Sequence, residues 1–367
     1  MTDNERLALA ETALADTAGA QGLEAVVFDR DLALTRFSRG AIHQNVTESS
    51  VAVQIRALVA GGRVGIASTN VHDEVALRKT RERAVDQARM SPAPTIPLSF
   101  GGPAAYVPPE AAFDPATAQT PAEVRARAVG TAFDAARAAG AWAAGYVSTG
   151  REAFALANTE GRRAVFSSTD AEINVKCIAP EASGYAEAYD RRVSALDVAA
   201  VAERAARKAT DAGSPQACDV GDWTVILEPP AMGELLHYLL PHFSAQRVDE
   251  GASFLADGLG KQYVSENVTL VDDYRHPLHA GRPFDTEGTP RERVVLIDGG
   301  VGRSFVTDRE WAARLGRPNT GHFAPEVIWV DGPQPQYTVL LPGERSREEL
   351  IANTKRGILI SRFWYIR

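Results

Sequence analysis

The stretch SPAPTIPLSFGGPAAYVPPE, residues 91–110, constrains this chain more than any other feature. Each of its prolines lacks a backbone N–H and holds φ near about −65°, so neither a helix interior nor a central strand can run through it. The segment reads as a linker or an extended wrapping strap. The patterns on its two sides are alike. Before it, leucines and alanines at helical spacing cover residues 4–19, followed by the runs EAVVFD, LALTRFS, VAVQIRALV and RVGIAST and a helix from Asp73 to Arg89. After it come a helix from Pro121 to Ala139, the runs WAAGYVST, AFALANT, RRAVFSST and AEINVKCIA, and a helix from Ser194 to Ala212. Short β-branched or alternating runs joined by turn residues are hairpin material. The expectation is an α+β fold. Residues 1–215 form an N-terminal domain of antiparallel sheet flanked by helices, with an apparent internal duplication of helix, four strands, helix.

From Asp222 the texture changes. WTVIL reads as a buried strand, and Pro229 and Pro230 open a helix. Beyond it SENVTLVDD, RERVVLIDGGVGRSFVT, QYTVLL and RGILISRFWYI are strand-like, with glycine corners between them and short helices near 308–315 and 346–354. Such corners suit a bent β-sheet or partial barrel, so residues 216–367 are expected to form a mainly-β C-terminal domain carrying that helix. The last run is apolar and ends the sequence, which leaves a strand edge in need of a partner.

A net charge of −8 without a basic run argues against a nucleic-acid surface. The start is acidic and helical rather than a signal peptide, and no window is apolar enough for a membrane span. The two cysteines, Cys177 and Cys218, form no metal or redox spacing, which fits a reducing cytoplasm, and Cys177 reads as a small core residue. A cytoplasmic location is expected.

The residues that invite chemistry lie in GELLHYLLPHF, 233–243. Leu235, Leu236, Leu239 and Leu240 fill an apolar stripe, while Glu234 and His237 are neighbours one turn apart. His237 and His242 are five apart, which an ideal helix separates by about 140°. Widening of a π type would bring them together. Pro241 instead ends or kinks the helix just before His242. By spacing alone this is a core helix with one histidine at its rim and one past its end.

The stretches EPPAMGELLHYLLPHFSA, DEGASFLADGLGK, GRPFDTEGTPRERVVLIDGGV, LGRPNTGH and RGILISRFWYI, in this order, resemble the TldD/PmbA family of metallopeptidase-like proteins, also called modulators of DNA gyrase. The resemblance implies two kinds of member. The TldD type binds zinc through H-E-x-x-x-H on this helix and a cysteine near its C-terminus. The PmbA (TldE) type has lost these residues and pairs with a TldD-type subunit around a chamber that cleaves unfolded peptides. On that pattern His237 and His242 fall on the two metal-ligand positions, Tyr238 falls on the glutamate, and the motif reads H-Y-x-x-x-H. Glu234 is the one nearby substitute base. The chain also ends before the family's cysteine segment and looks C-terminally truncated against it.

The resemblance therefore implies a PmbA-type, catalytically degenerate subunit with no cofactor of its own. Zinc is what the family at large would supply, and a TldD-type subunit and a peptide are the expected partners. One alternative is an active or atypical zinc metallopeptidase with Glu234 as base. Another is a truncated, non-functional remnant. Elsewhere, IDGGVG reads as a turn rather than a phosphate loop, and GYVSTG is not a nucleophile elbow. His322 reads as a turn histidine bonded to backbone, and His276 and His279, beside Asp272 and Asp273, as a solvated turn.

Overall fold

The computed structural model describes residues 1–367 apart from 18, 95, 97–98, 214, 280, 325–331, 364–365 and 367. Chain order begins with α1 (Asp3–Thr12), β1 (Gly22–Ser38), β2 (Ala41–Val59), β3 (Arg63–Thr69) and α2 (Glu74–Met90). After the proline-rich strap and a single turn, α3 (Pro115–Ala118), the plan repeats: α4 (Ala122–Ala138), β4 (Trp142–Asn158), β5 (Arg163–Ile178), β6 (Ser183–Asp190) and α5 (Val198–Asp211). The six strands form one sheet in the order β3-β2-β1-β4-β5-β6, every neighbouring pair antiparallel. The duplicated halves thus meet at β1 and β4.

Each half holds three strands, not the four expected. EAVVFD and LALTRFS are one strand, because the polar step Asp29-Arg30-Asp31 is not a turn. Asp29 is buried, and Arg6 and Arg151 bind its carboxylate at 2.7 and 3.1 Å, so the strand carries a charge through the interior with its partners attached. WAAGYVST and AFALANT fuse in the same way through Gly150, whose missing Cβ leaves room for Asp31 and Asp170 from the flanking strands. RRAVFSST and AEINVKCIA likewise form β5, while SGYAEAYD, too polar to read as a strand, is β6.

Helices α1 and α2 cover one face over the first half, with Leu23, Val27, Ile55, Leu77 and Val85 between them. Helices α4 and α5 cover the second half around Val129, Ile173, Val175 and Val201. The duplication is visible where backbones touch. A Cβ at Gly65 on β3 would come closer than 3.0 Å to the backbone of Ala84 and Ala88 on α2, and one at Gly184 on β6 would meet Ala205 and Ala209 on α5 in the same way. The preceding arginines match too: Arg83 donates to the Ser68 carbonyl at 2.8 Å and Arg204 to that of Glu187 at 3.1 Å.

The remaining elements are β7 (Thr224–Leu227), α6 (Pro229–Leu239), α7 (Ala245–Asp249), β8 (Leu270–Asp272), β9 (Val294–Asp298), β10 (Val301–Gly302), α8 (Arg309–Leu315), β11 (Thr338–Leu340), α9 (Arg347–Ala352) and β12 (Gly357–Ile360). A four-stranded antiparallel sheet runs β10-β9-β8-β11 and does not close into a barrel. IDGGVG is the β9–β10 turn, with Gly299 and Gly300 both at positive φ. WTVIL is not a buried strand: β7 is half-exposed and pairs in parallel with β12, which gives the terminal run a partner on one edge. Two residues of that run, 364–365, lie outside the described residues.

The strap wraps rather than dangles. Phe100 is buried, and Tyr106 donates to the Gly288 carbonyl at 2.8 Å. With Phe284 and Phe154, Tyr106 forms an aromatic cluster that seats the C-terminal unit on the free face of the six-stranded sheet.

Candidate functional site

Prolines set both ends of the histidine helix. Pro229 and Pro230 occupy the first turn of α6, where an N–H would lack a partner anyway. At the other end Pro241 cannot donate, so the α-helix stops at Leu239 and the chain tightens into a 3₁₀ turn, Leu240–Phe243. Leu236, Leu239 and Leu240 pack on the C-terminal core beside Phe243, Leu255 and Trp311, whereas Leu235 stays 37% exposed.

This geometry governs the histidines. Three helical steps of about 100° followed by two of about 120° put His237 and His242 on nearly opposite sides, about 180° apart. The chain tightens where widening would have been needed. His237 is exposed and stands edge-on to Tyr238, ring centroids 5.5 Å apart. His242 is half-buried, its Nδ1 lies 3.1 Å from the Ala252 carbonyl, and its own carbonyl accepts from the Ser253 hydroxyl at 2.6 Å. That bond gives Nδ1 the proton and leaves Nε2 the lone pair.

The two groups with acid–base potential are both engaged. The Glu234 carboxylate accepts from the Phe363 N–H at 2.5 Å. The Tyr238 hydroxyl donates to the Ile366 carbonyl at 3.1 Å, with the side chain about half exposed. A zinc ion needs at least three converging protein ligands. Among the described residues no group of three His, Cys, Asp or Glu side chains is so placed, and two divergent imidazoles do not fit the ion. Cys177 lies in the core of the second half, where burial pushes its thiol up to about 11, far from the thiolate a metal would take. Cys218 is exposed, its nearest polar contact being the neighbouring Asp219 carbonyl.

The other histidines take part in structure. His276 and His279 lie on a turn after Asp273. His276 accepts from the Leu278 N–H at 3.3 Å, and His279 Nε2 lies 3.2 Å from the Thr338 carbonyl. His322 is fully buried and bonds side chains, not backbone as expected: Nε2 lies 3.0 Å from Asp272 Oδ1 and Nδ1 2.9 Å from the Thr320 hydroxyl. Burial works to raise the Asp272 carboxyl, but the His322 hydrogen bond and charge and the Tyr337 N–H outweigh it and hold it below the usual range.

A buried charge cluster between the two sheet systems was not foreseen from the residue pattern. Arg56 on β2 binds Glu24 on β1 at 2.9 Å and Glu287 in the GRPFDTEGTP loop at 2.8 Å, with Arg309 3.7 Å from Glu287. Burial raises Glu24 to about 7. Burial also works against ionised Glu287, but Arg309 and Arg56 keep it below its ordinary value. The partners are 231 residues apart in sequence, so only an Asp and a Glu in an otherwise strand-poor loop could have hinted at the cluster.

Three models of one family match the chain in order: PmbA/TldA metallopeptidase domain 1 over residues 24–90, the central domain over 114–212 and the C-terminal domain over 220–367. A metalloprotease of Methanocaldococcus jannaschii is 32% identical over 145 residues, covering 39% of this chain and 32% of that protein. A protein named zinc metalloprotease TldD homolog, from Saccharolobus solfataricus, is 28% identical over 37% of this chain and 31% of its own length. These matches span about a third of the curated relatives' length. The solved structure of TldE from Thermococcus kodakarensis superposes with a TM-score of 0.86 at 23% identity, covering 99% of this chain and 83% of that one, and shares the fold. Among the described residues no helix is long and apolar enough to cross a membrane.

Proposed function

Because the chain belongs to the PmbA/TldD metallopeptidase family, we propose that it serves as the catalytically degenerate, PmbA-type subunit of a cytoplasmic complex. It pairs with a TldD-type zinc peptidase that cleaves unfolded peptides, and its two parts, 1–215 and 216–367, supply walls of the peptide chamber rather than the cleaving groups. One observation carries the reading: a phenol, Tyr238, stands where peptide hydrolysis needs a carboxylate, and the nearest carboxylate, Glu234, is tied to the Phe363 N–H.

Activating water for attack on an amide requires a base that takes its proton near neutral pH and passes it on. Tyrosine, with an ordinary pKa near about 10, does not do this. A Glu234 oxygen already accepting a hydrogen bond would have to give it up to serve, and the divergence of His237 from His242 leaves nowhere to hold an ion beside it.

The test is metal content and peptide cleavage, measured on the purified chain alone and after mixing with the TldD-type subunit from the same genome. The expected result is no stoichiometric zinc and no cleavage alone, with a stable complex and cleavage on mixing. Stoichiometric zinc and cleavage by the isolated chain, both abolished by His237→Ala, would overturn the proposal.

A further inference from the structure

A cleft of about 900 Å³ opens between the second half of the six-stranded sheet and the C-terminal β7–β12 pair. Its floor is held together by ion pairs. Lys208 on α5 binds Glu228, the Tyr185 carbonyl at 2.9 Å and the Ser361 hydroxyl at 2.9 Å, and Arg347 on α9 binds the same Glu228 at 3.0 Å. These two cations are spoken for.

Three others on the same walls are not. Lys176 on β5 and Arg207 on α5 line the cleft without a side-chain hydrogen bond or ion pair among the described residues. Arg362 lies over the Tyr185 ring at 4.6 Å, and among the described residues its guanidinium makes one 3.4 Å bond, to the Phe363 carbonyl. Asp211 and Glu348 line the cleft as well, but with Lys208 and Arg347 counted the five cations outnumber them, so in a chain of net charge −8 this concave surface is locally positive. Beside them the wall turns apolar at Ile351, Leu359 and Phe363, the first two each 39% exposed.

We propose that this cleft binds the free C-terminal end of a peptide, the α-carboxylate on Lys176, Arg207 and Arg362 and an apolar last side chain on Ile351, Leu359 and Phe363. Guanidinium and ammonium donors make stronger hydrogen bonds to a carboxylate than to any neutral group, which selects a chain end over a chain middle. The cleft is larger than a lone oxyanion requires and falls in the range of sites that take small organic ligands. The apolar wall gives an inorganic anion nothing to bind. This assignment rests on the reading of the chain as a peptide-handling subunit and adds where a peptide end would be held.

The test uses the full chain and fluorescence anisotropy with an N-terminally labelled peptide ending in leucine, made once as the free acid and once as the amide. The acid is expected to bind about tenfold tighter than the amide, from charge-assisted hydrogen bonds alone. In the Lys176→Gln/Arg207→Gln double variant that difference should vanish while amide binding stays as it was. Three results overturn the cleft: equal affinity for acid and amide in the unmodified chain, an acid preference that survives the double variant, or displacement by inorganic phosphate as effective as by unlabelled acid. Equal and measurable binding of both peptides leaves the peptide-handling reading standing. Binding of neither overturns the cleft, and the peptide-handling reading is then decided by cleavage on mixing with the TldD-type subunit.

Discussion

Arg56 on β2 and Lys208 on α5 are two of the cations through which the halves of the six-stranded sheet reach the C-terminal unit, and their surroundings are opposite. Arg56 is 5% exposed between Glu24 and Glu287, under the Phe100 ring and beside Phe323. Lys208 and Arg347 share Glu228 at the floor of an open cleft, with the Arg347 side chain 39% exposed. Burial works to raise Glu228, but the Lys208 and Ser361 hydrogen bonds and the neighbouring cations hold it below its ordinary value, whereas Glu24 in the closed seam is raised. One of these seams thus rests on dry, mutually dependent charges, and the other on a buried carboxylate shared with a half-exposed, replaceable arginine.

Truncation should expose that difference most sharply. Arg56→Ala strands two buried carboxylates and is expected to cost about 4 kcal/mol, because breaking a buried pair leaves a charge with neither water nor partner. Arg347→Ala removes a half-exposed partner and leaves Glu228 with Lys208 and Ser361, and is expected to cost less than about 1 kcal/mol. Urea unfolding of the two variants measures both. Equal losses would mean that the seams do not differ in kind.

Next in size are the contacts in which the halves agree. Gly65→Ala and Gly184→Ala each drive a Cβ into the backbone of the covering helix, which neither rotamer change nor side-chain shift relieves. Each should cost about 2–3 kcal/mol, while Gly102→Ala, with its nearest neighbour 3.7 Å away, serves as the mild control in the same urea series. A large effect at one site and a small one at the other would show that the halves have drifted apart in packing as well as in sequence.

These same residues explain what could be read beforehand. Helix placement, the repeated order of elements and the two ends of α6 followed from local rules: periodicity, proline and glycine. The continuity of β1 did not, because Asp29 reads as a turn residue unless one knows that Arg151, 122 positions on, neutralises it. β6 was missed because its alternation is carried by glycine and alanine, small enough to accept α5 against the strand and too weak as a hydrophobic signal. At the candidate site, the loss of the motif's glutamate and the interruption at Pro241 were legible residue by residue. The engagement of Glu234 by Phe363 was not, since it depends on a backbone N–H 129 positions away, just beyond β12. The cleft's free cations were equally hidden, being contributed by three elements that only the fold brings together.

The last expected effect concerns protonation in the closed seam. Burial lifts Glu24 from 4.5 to about 7 in the folded chain. Between those values the unfolded chain has released the proton that the folded chain still holds, so this residue's contribution is fully present below about pH 4.5 and is lost as pH rises through 7. Asp272 acts in the opposite sense: held below 3.8 by His322, it contributes above that pH and fails as pH falls through its lowered value. Unfolding free energies from urea titrations between about pH 5 and about pH 7.5 should therefore decline, with Glu24 contributing on the order of 2 kcal/mol and Asp308, which burial likewise raises to about 7, adding its own share; Glu24→Gln should remove the Glu24 share and make the slope shallower. If the variant follows the same slope as the unmodified chain, Glu24 is ionised against Arg56 throughout. The closed seam would then be an ordinary charged pair shielded from water, and its contrast with the open one would reduce to exposure alone.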